Sequence, residues 1–227
     1  MRLAIMQPYL FPYLGYFKLV RSVDRFVFFD DVNFVRRGWV NRNRLLLSGR
    51  VCYFTAPLVG ASQNVRICDI RVSYEVDWIK KLETSIRQSY GKAPYFREVF
   101  RLLAVSLFDR EASIGEMAKK SVVAVSRYLG LSTEFVWSSS QYQNQVLKGE
   151  ERLLDICAQE EAGVYCNLPG GKSIYDKELF RKRGVELIFM EPKLHEYPQF
   201  SSVFQPSLSI IDVLMHNDRG VVGRMLE

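Results

Sequence analysis

Asp30 and Asp31 stand at the end of an apolar run, shortly before the segment Gly38-Trp-Val-Asn-Arg-Asn43. A carboxylate at a strand end can take a proton from an amine, bind a hydroxyl or hold a divalent cation. Neighbouring residues of an extended chain point to opposite faces, so at most one of the two enters a given pocket. Arg42 can clamp a phosphate or carboxylate through two parallel hydrogen bonds. Asn41 and Asn43 add neutral polar contacts, and Trp39 offers a flat ring. The competing reading is an internal Asp–Arg pair with Trp39 in the core.

Three further blocks carry reactive or recognition-competent groups. In Ile5-Met-Gln-Pro-Tyr-Leu-Phe-Pro-Tyr-Leu-Gly-Tyr-Phe17, two prolines, a glycine and five aromatic residues crowd behind Gln7. Tyr9, Phe11 and Tyr16 can form a stiff wall that stacks on a ligand, with the Gln7 amide as donor and acceptor. The same composition also suits a buried corner stiffened by proline. In Asn167-Leu-Pro-Gly-Gly-Lys-Ser-Ile-Tyr-Asp176, the phosphate-loop pattern fails, because Cys166 stands where its first glycine is required. A glycine turn presenting Lys172, Ser173 and Tyr175 remains. The last block runs from His195-Glu-Tyr-Pro-Gln199 to Asp212. His195, among Glu196 and Tyr197 in a loop, is the more promising of the two histidines as a catalytic group, with Tyr197 and Gln199 as binding candidates beside it. His216 near a helix end suits the helix dipole. Ser207 or Ser209 can cap the final helix, whose N-terminus can hold an anion.

The elements that must position these groups follow from periodicity and punctuation. Residues 3–7 predict a strand, 17–23 a short helix and 24–30 a buried strand, the order of a parallel pair with a right-handed crossover. Residues 31–44 read as a loop, and 45–57 as a hairpin turning at Ser48-Gly49-Arg50. Residues 67–72 read as a short strand. Helices are expected over 78–89, 95–108 and 113–129, the last stopped by Gly130. The remainder alternates: strand 133–138, helix 150–160, strand 164–167, helix 176–183, strand 185–190 and helix 209–216. Such alternation predicts an α/β fold, a mostly parallel Rossmann-like sheet with helical cover. One domain over 1–227 is expected, with residues 75–130 as a mainly helical insertion or lobe.

Bulk properties narrow the function class. Hydrophobic residues make up 48% and charged residues 25%, as in ordinary globular proteins. No apolar run approaches the roughly 18 residues of a membrane span, and no signal-peptide pattern is present, so the cytoplasm is the expected compartment. The four cysteines form no CxxC pair and only two histidines exist, so neither a metal site nor a disulfide framework is expected. The net charge of +6 favours an anionic partner. Its basic clusters, such as Arg36-Arg37, are short, and no nucleic-acid motif accompanies them, so nucleic acid is not expected.

Together these blocks resemble the WbqC-like protein family: Met6 to Phe17, Asp24-Arg-Phe-Val-Phe-Phe-Asp-Asp31, Gly38 to Asn43, Gly170-Gly171 with Tyr175, Glu196-Tyr-Pro-Gln199 and Phe204 to Asp212. The resemblance implies a place in bacterial surface-polysaccharide (O-antigen-type) gene clusters. It also implies N-acyl or aminoacyl transfer to a nucleotide-linked amino sugar. On that reading Asp30 or Asp31 accepts the proton of the attacking amine, and His195 is a further catalytic candidate. Arg42 and Lys172 hold diphosphate or the acyl donor. The rings at 9–17 stack on base or sugar, and the helix at Ser209 faces an oxyanion. The donor would be acyl-CoA or an acyl group on an acidic carrier protein. Two alternatives stand beside it. One is a nucleotidyltransferase-like enzyme, although Tyr16 stands where the histidine after Gly15 would be needed. The other is a non-catalytic binding subunit of a polysaccharide assembly complex.

Overall fold

Alternate residues of the first strands pack into two different apolar clusters, so the sheet they form is covered on both faces. Ala4, Phe26, Phe28 and Cys166 belong to one cluster. Leu3, Ile5, Val27, Val136, Tyr165 and Leu187 belong to the other. Strands buried on both sides are the mark of a parallel sheet with helical layers. The computed structural model describes residues 1–107, 113–191, 193 and 195–227.

The chain opens with β1 (Arg2–Met6), α1 (Leu14–Arg21) and β2 (Arg25–Phe28). β3 (Arg42–Leu47) and β4 (Arg50–Thr55) form an antiparallel hairpin, and β5 (Leu58–Val59) pairs with β6 (Arg71–Val72). Then come α2 (Trp78–Tyr90), α3 (Phe96–Leu107) and α4 (Ile114–Leu129). The rest is β7 (Glu134–Val136), α5 (Gly149–Gln159), β8 (Val164–Asn167), α6 (Lys177–Lys182), β9 (Glu186–Phe189), α7 (Ile210–His216) and α8 (Arg219–Met225). The central sheet has five strands in the order β7-β2-β1-β8-β9, all parallel. Taken in chain order this is 3-2-1-4-5, the doubly wound Rossmann-like arrangement, and the strand order reverses between β1 and β8.

Local chemistry accounts for the boundaries. The Ser113 hydroxyl accepts from Glu116 N at 3.1 Å to start α4, and Gly130 ends it at φ +72°. Ser48 and Gly49 both take positive φ, which gives the two-residue turn that suits the twist of a hairpin. Ile114, Met117, Ala118 and Val122 of α4 share the cluster of Phe26 and Phe28, which seats the helix on the sheet.

Several elements differ from expectation. β3 begins at Arg42, inside the segment read as loop, because the alternation of Arg42, Asn43, Arg44 and Leu45 suits a half-buried strand. The strand expected at 67–72 is a 3-10 turn (Ile67–Asp69) followed by the two residues of β6. α1 starts at Leu14, ahead of residue 17, because Gly15 is tolerated in a first turn. The end of the helix expected over 95–108 reaches Phe108, which lies outside the described residues. No helix among the described residues is long and apolar enough to cross a membrane.

Candidate functional site

The carboxyl ends of β1 and β8 are where a sheet of this order leaves a crevice. A cleft of about 340 Å³ opens there, lined by Gln7 after β1, Phe29 after β2, Asn167 at the end of β8, and Tyr9, Gly170 and Tyr175. Tyr9 and Gly170 also line a second cleft of about 400 Å³, with Pro12, Tyr13, Trp39, Asn43, Arg44 and Ser207. Tyr13 and Ser207 in turn border a narrow third hollow beside Lys193, His195 and Tyr197. Shared walls set these three clefts side by side, a row termed the trough, from the strand-order reversal past the rings to a histidine.

The aromatic turn that builds the wall is tied down on three sides. The Asn43 amide donates to the carbonyls of Leu10 at 3.1 Å and Phe11 at 2.8 Å. Phe11 N donates to the Ser121 hydroxyl at 3.0 Å, and the Ser209 hydroxyl donates to Phe11 O at 2.7 Å. These bonds hold Phe11 at φ +43°, a left-handed conformation uncommon for a side chain of its size. Tyr16 is fully buried; its hydroxyl donates to Gln7 O at 2.9 Å and its ring packs on Tyr9 at 5.4 Å. Burial, then the nearby Tyr13 and Tyr175 hydroxyls, push the Tyr9 hydroxyl above its ordinary pKa, so the wall stays neutral.

Two buried side-chain nitrogens on this trough have no partner among the described residues. Arg44 donates through Nη2 to Ser207 O at 2.8 Å and stacks on Trp39 at 5.7 Å, but its Nε is unpaired. His195 Nε2 is likewise buried and unpaired. A free guanidinium N–H beside an aromatic ring suits a phosphate or carboxylate, and a free imidazole nitrogen suits a proton transfer.

The other half of the sheet's carboxyl edge is filled by ion pairs. Asp30 accepts from Lys119 Nζ of α4 at 2.9 Å and from Ser138 Oγ at 2.7 Å; the Lys119 and Asp30 side chains are each 2% exposed. Lys119 also meets Glu116 at 2.5 Å and lies 5.0 Å from the Trp137 ring centre. Asp31 turns to the opposite face. Both its oxygens take Arg152 Nη2 of α5 at 2.7 Å, and Ser139 and Gln145 complete its shell. Burial alone would raise the Asp31 carboxyl, but the bonds from Ser139, Arg152 and Gln145 outweigh it and hold the group below its usual range. The two carboxylates thus clamp α4 and α5 to opposite faces of the sheet.

A model of the WbqC-like protein family matches residues 7–222, nearly the whole chain. The chain belongs to the WbqC-like family. It is also similar to the uncharacterized protein Rv1507c of Mycobacterium tuberculosis, 27% identical over 219 residues, which cover 95% of this chain and 93% of that protein. No solved structure matches it.

The site residues expected from the sequence separate in the structure. Gln7, Tyr9, Trp39, Asn43, Tyr175, His195 and Tyr197 line the trough. Phe11, Tyr16, Asp30, Asp31 and Ser209 lie in the interior and brace it. Ser209 caps α7, and the backbone N–H of Ile210 donates to Pro12 O at 2.9 Å, so the aromatic turn occupies the helix end expected to face an oxyanion. Arg42 lies outside the trough, bonded to the carbonyls of Gly38 and Arg37. Lys172 pairs with Glu191 at the surface. Gln199 and Tyr197 donate to the buried Asp212 at 3.2 and 2.7 Å, and Tyr90 donates to its other oxygen at 2.6 Å. That network anchors the loop bearing His195 to α7.

Other WbqC-like trough residues escaped sequence reasoning. Arg44 follows Arg42 by two along β3, so the same alternation that marks one marks the other. Asn167 ends β8 as Gln7 follows β1, and the strand-end rule that selects Gln7 selects it too. Tyr13 was visible as a member of the aromatic block. Gly170 has no side chain to signal a role.

Proposed function

We propose that the trough binds a nucleotide-linked amino sugar and that the protein transfers an acyl or aminoacyl group to the sugar's amine. The reaction would supply a precursor for a bacterial surface polysaccharide, the setting with which WbqC-like proteins are associated. The observation that carries the reading is the row of adjoining clefts that starts at the strand-order reversal and includes the ring-flanked Arg44 and the unpaired His195. Rings of Tyr9, Tyr13 and Trp39 suit a base and sugar, and Arg44 Nε suits a phosphoryl oxygen.

His195, and neither aspartate, takes the proton in this reading. Asp30 and Asp31 are committed to buried cations, and neither lines the trough, so neither reaches an amine bound there. The amine nitrogen attacks the acyl carbon of a thioester. An N–C bond forms, the C–S bond breaks, the amine proton passes to His195 Nε2 and the thiolate leaves with the bond's electrons.

Gly170 supplies the test. It lines both large clefts, and nothing lies within 4 Å of where a Cβ would stand. Gly170→Leu therefore adds bulk beside both clefts with no clash at its Cβ. The expected result is an unchanged melting temperature and binding of dTDP- or UDP-amino sugars weakened by about tenfold or more in calorimetry. Equal affinity in both proteins, or wild-type protein that takes up none of these sugars, overturns the proposal.

A further inference from the structure

Cationic residues are spread along the chain, but acidic ones are not. Residues 32–68 contain six arginines, no lysine and neither aspartate nor glutamate. Those six account for the whole net charge of +6, so the rest of the chain is neutral. Arg66 pairs with Asp69 at 2.7 Å. Arg36, Arg37, Arg42, Arg44 and Arg50 have no acidic partner among the described residues.

Two of these five, Arg42 and Arg44, flank Trp39. Its indole stacks on Tyr53 of β4, with ring centres 6.3 Å apart. The Arg42 and Arg44 guanidinium carbons lie 5.9 and 5.7 Å from the Trp39 ring centre. Arg44 belongs to the trough, whereas Arg42, Arg36 and Arg37 line a separate concavity of about 480 Å³ with Asn41 and Thr55. The loop that carries the exposed pair is fixed. Arg42 donates to the carbonyls of Arg37 and Gly38, and Gly38 N donates to Val35 O at 3.1 Å. A Cβ on Gly38 would stand 2.9 Å from that same oxygen, so the tight turn requires glycine. Arginine without lysine, held on a braced loop and left without counter-charge, is the chemistry of phosphoryl recognition.

We propose that Arg36, Arg37 and Arg42 form a phosphoryl-binding subsite that holds the phosphorylated carrier of the acyl donor. The acyl end then crosses the Trp39 ridge into the trough. The naming of the donor rests on the transfer reading above; the subsite itself does not. Coenzyme A and a carrier protein's prosthetic arm both present a phosphoryl group on pantetheine, and the two sources are told apart below.

Inorganic pyrophosphate is the probe for the subsite, titrated by calorimetry at low salt. The wild type is expected to bind it, and Arg36→Ala with Arg37→Ala to weaken binding by about tenfold or more. The double variant Lys182→Ala with Arg183→Ala removes the same charge from exposed positions at the C-terminal end of α6, outside the concavity, and is expected to bind as wild type. Equal binding by all three proteins, or equal loss in both variants, overturns the subsite. In transfer assays the arginine variant is expected to raise KM for the phosphorylated donor with kcat unchanged, and to leave KM for S-acetyl-pantetheine unaltered. A KM effect seen with acetyl-CoA identifies coenzyme A as the source; one seen only with acyl carrier protein identifies the protein. Pyrophosphate binding that depends on Arg36 and Arg37 in a protein without transfer activity upholds the subsite and removes the transferase reading instead.

Discussion

Five buried side-chain polar atoms lack a partner among the described residues, and two of them, Arg44 Nε and His195 Nε2, border the same trough. Leaving such a group unpaired costs about 1–3 kcal/mol, and in the transfer proposed above a ligand would supply the bonds that these two lack. His195→Gln keeps a polar side chain of similar reach and removes the proton acceptor. Transfer is expected to fall by about 100-fold or more, with nucleotide-sugar affinity retained. A variant with wild-type kcat sinks the assignment. Residue by residue, the trough was legible where chemistry and location coincide: Gln7, Tyr9, Trp39, Asn43 and Tyr175 are polar or aromatic groups at strand ends and turns. Asp30 and Asp31 misled for the converse reason. Their partners Lys119 and Arg152 lie 89 and 121 residues away in helices, and charges on a helix default to solvent. The doublet Lys119-Lys120 looks like surface text until the fold turns Lys119 inward.

At the scale of elements, the aromatic turn depends on α7, and α7 on the turn. Ser209 accepts from Ile211 N at 3.3 Å as the cap and donates to Phe11 O at 2.7 Å. Ser209→Ala removes both bonds, and about 1–2 kcal/mol of stability is expected to go with them. Because Ser209 does not line the trough, any loss of nucleotide-sugar affinity reports the slackened turn. A several-fold weakening alongside a lower melting temperature is the expected outcome; a stability loss with intact affinity separates the turn from the site. Most elements were readable because each has its own punctuation: Ser113 and Gly130 bracket α4, and Ser48-Gly49 turns the hairpin. The unread ones carry little local signal. β5 has two residues, and α8 contains Gly220 and Gly223, poor helix formers that only packing and the Asp218 cap hold in place.

For the molecule as a whole, the two carboxylates after β2 act as rivets through the sheet, one to α4 and one to α5. The sequence pattern placed them on opposite faces, and the fold adds the cation that each one meets. Removing one partner of such a pair leaves the other buried and uncompensated, which is worth about 3–5 kcal/mol. Asp31→Asn is therefore expected to lower unfolding free energy by about that amount at neutral pH. The pH dependence has a definite sign. The native Asp31 pKa lies below its unfolded value, so the native state binds fewer protons at this site. Its stabilisation is complete above the unfolded pKa of about 3.9 and disappears as pH falls through the lower native value. In urea titrations the gap between wild type and Asp31→Asn should be widest from neutral pH down to about 5, then close as the medium becomes acid enough to protonate the wild-type carboxylate. A gap that stays constant across that range would mean that Asp31 contributes by shape alone, and that α5 is held to the sheet by its apolar face.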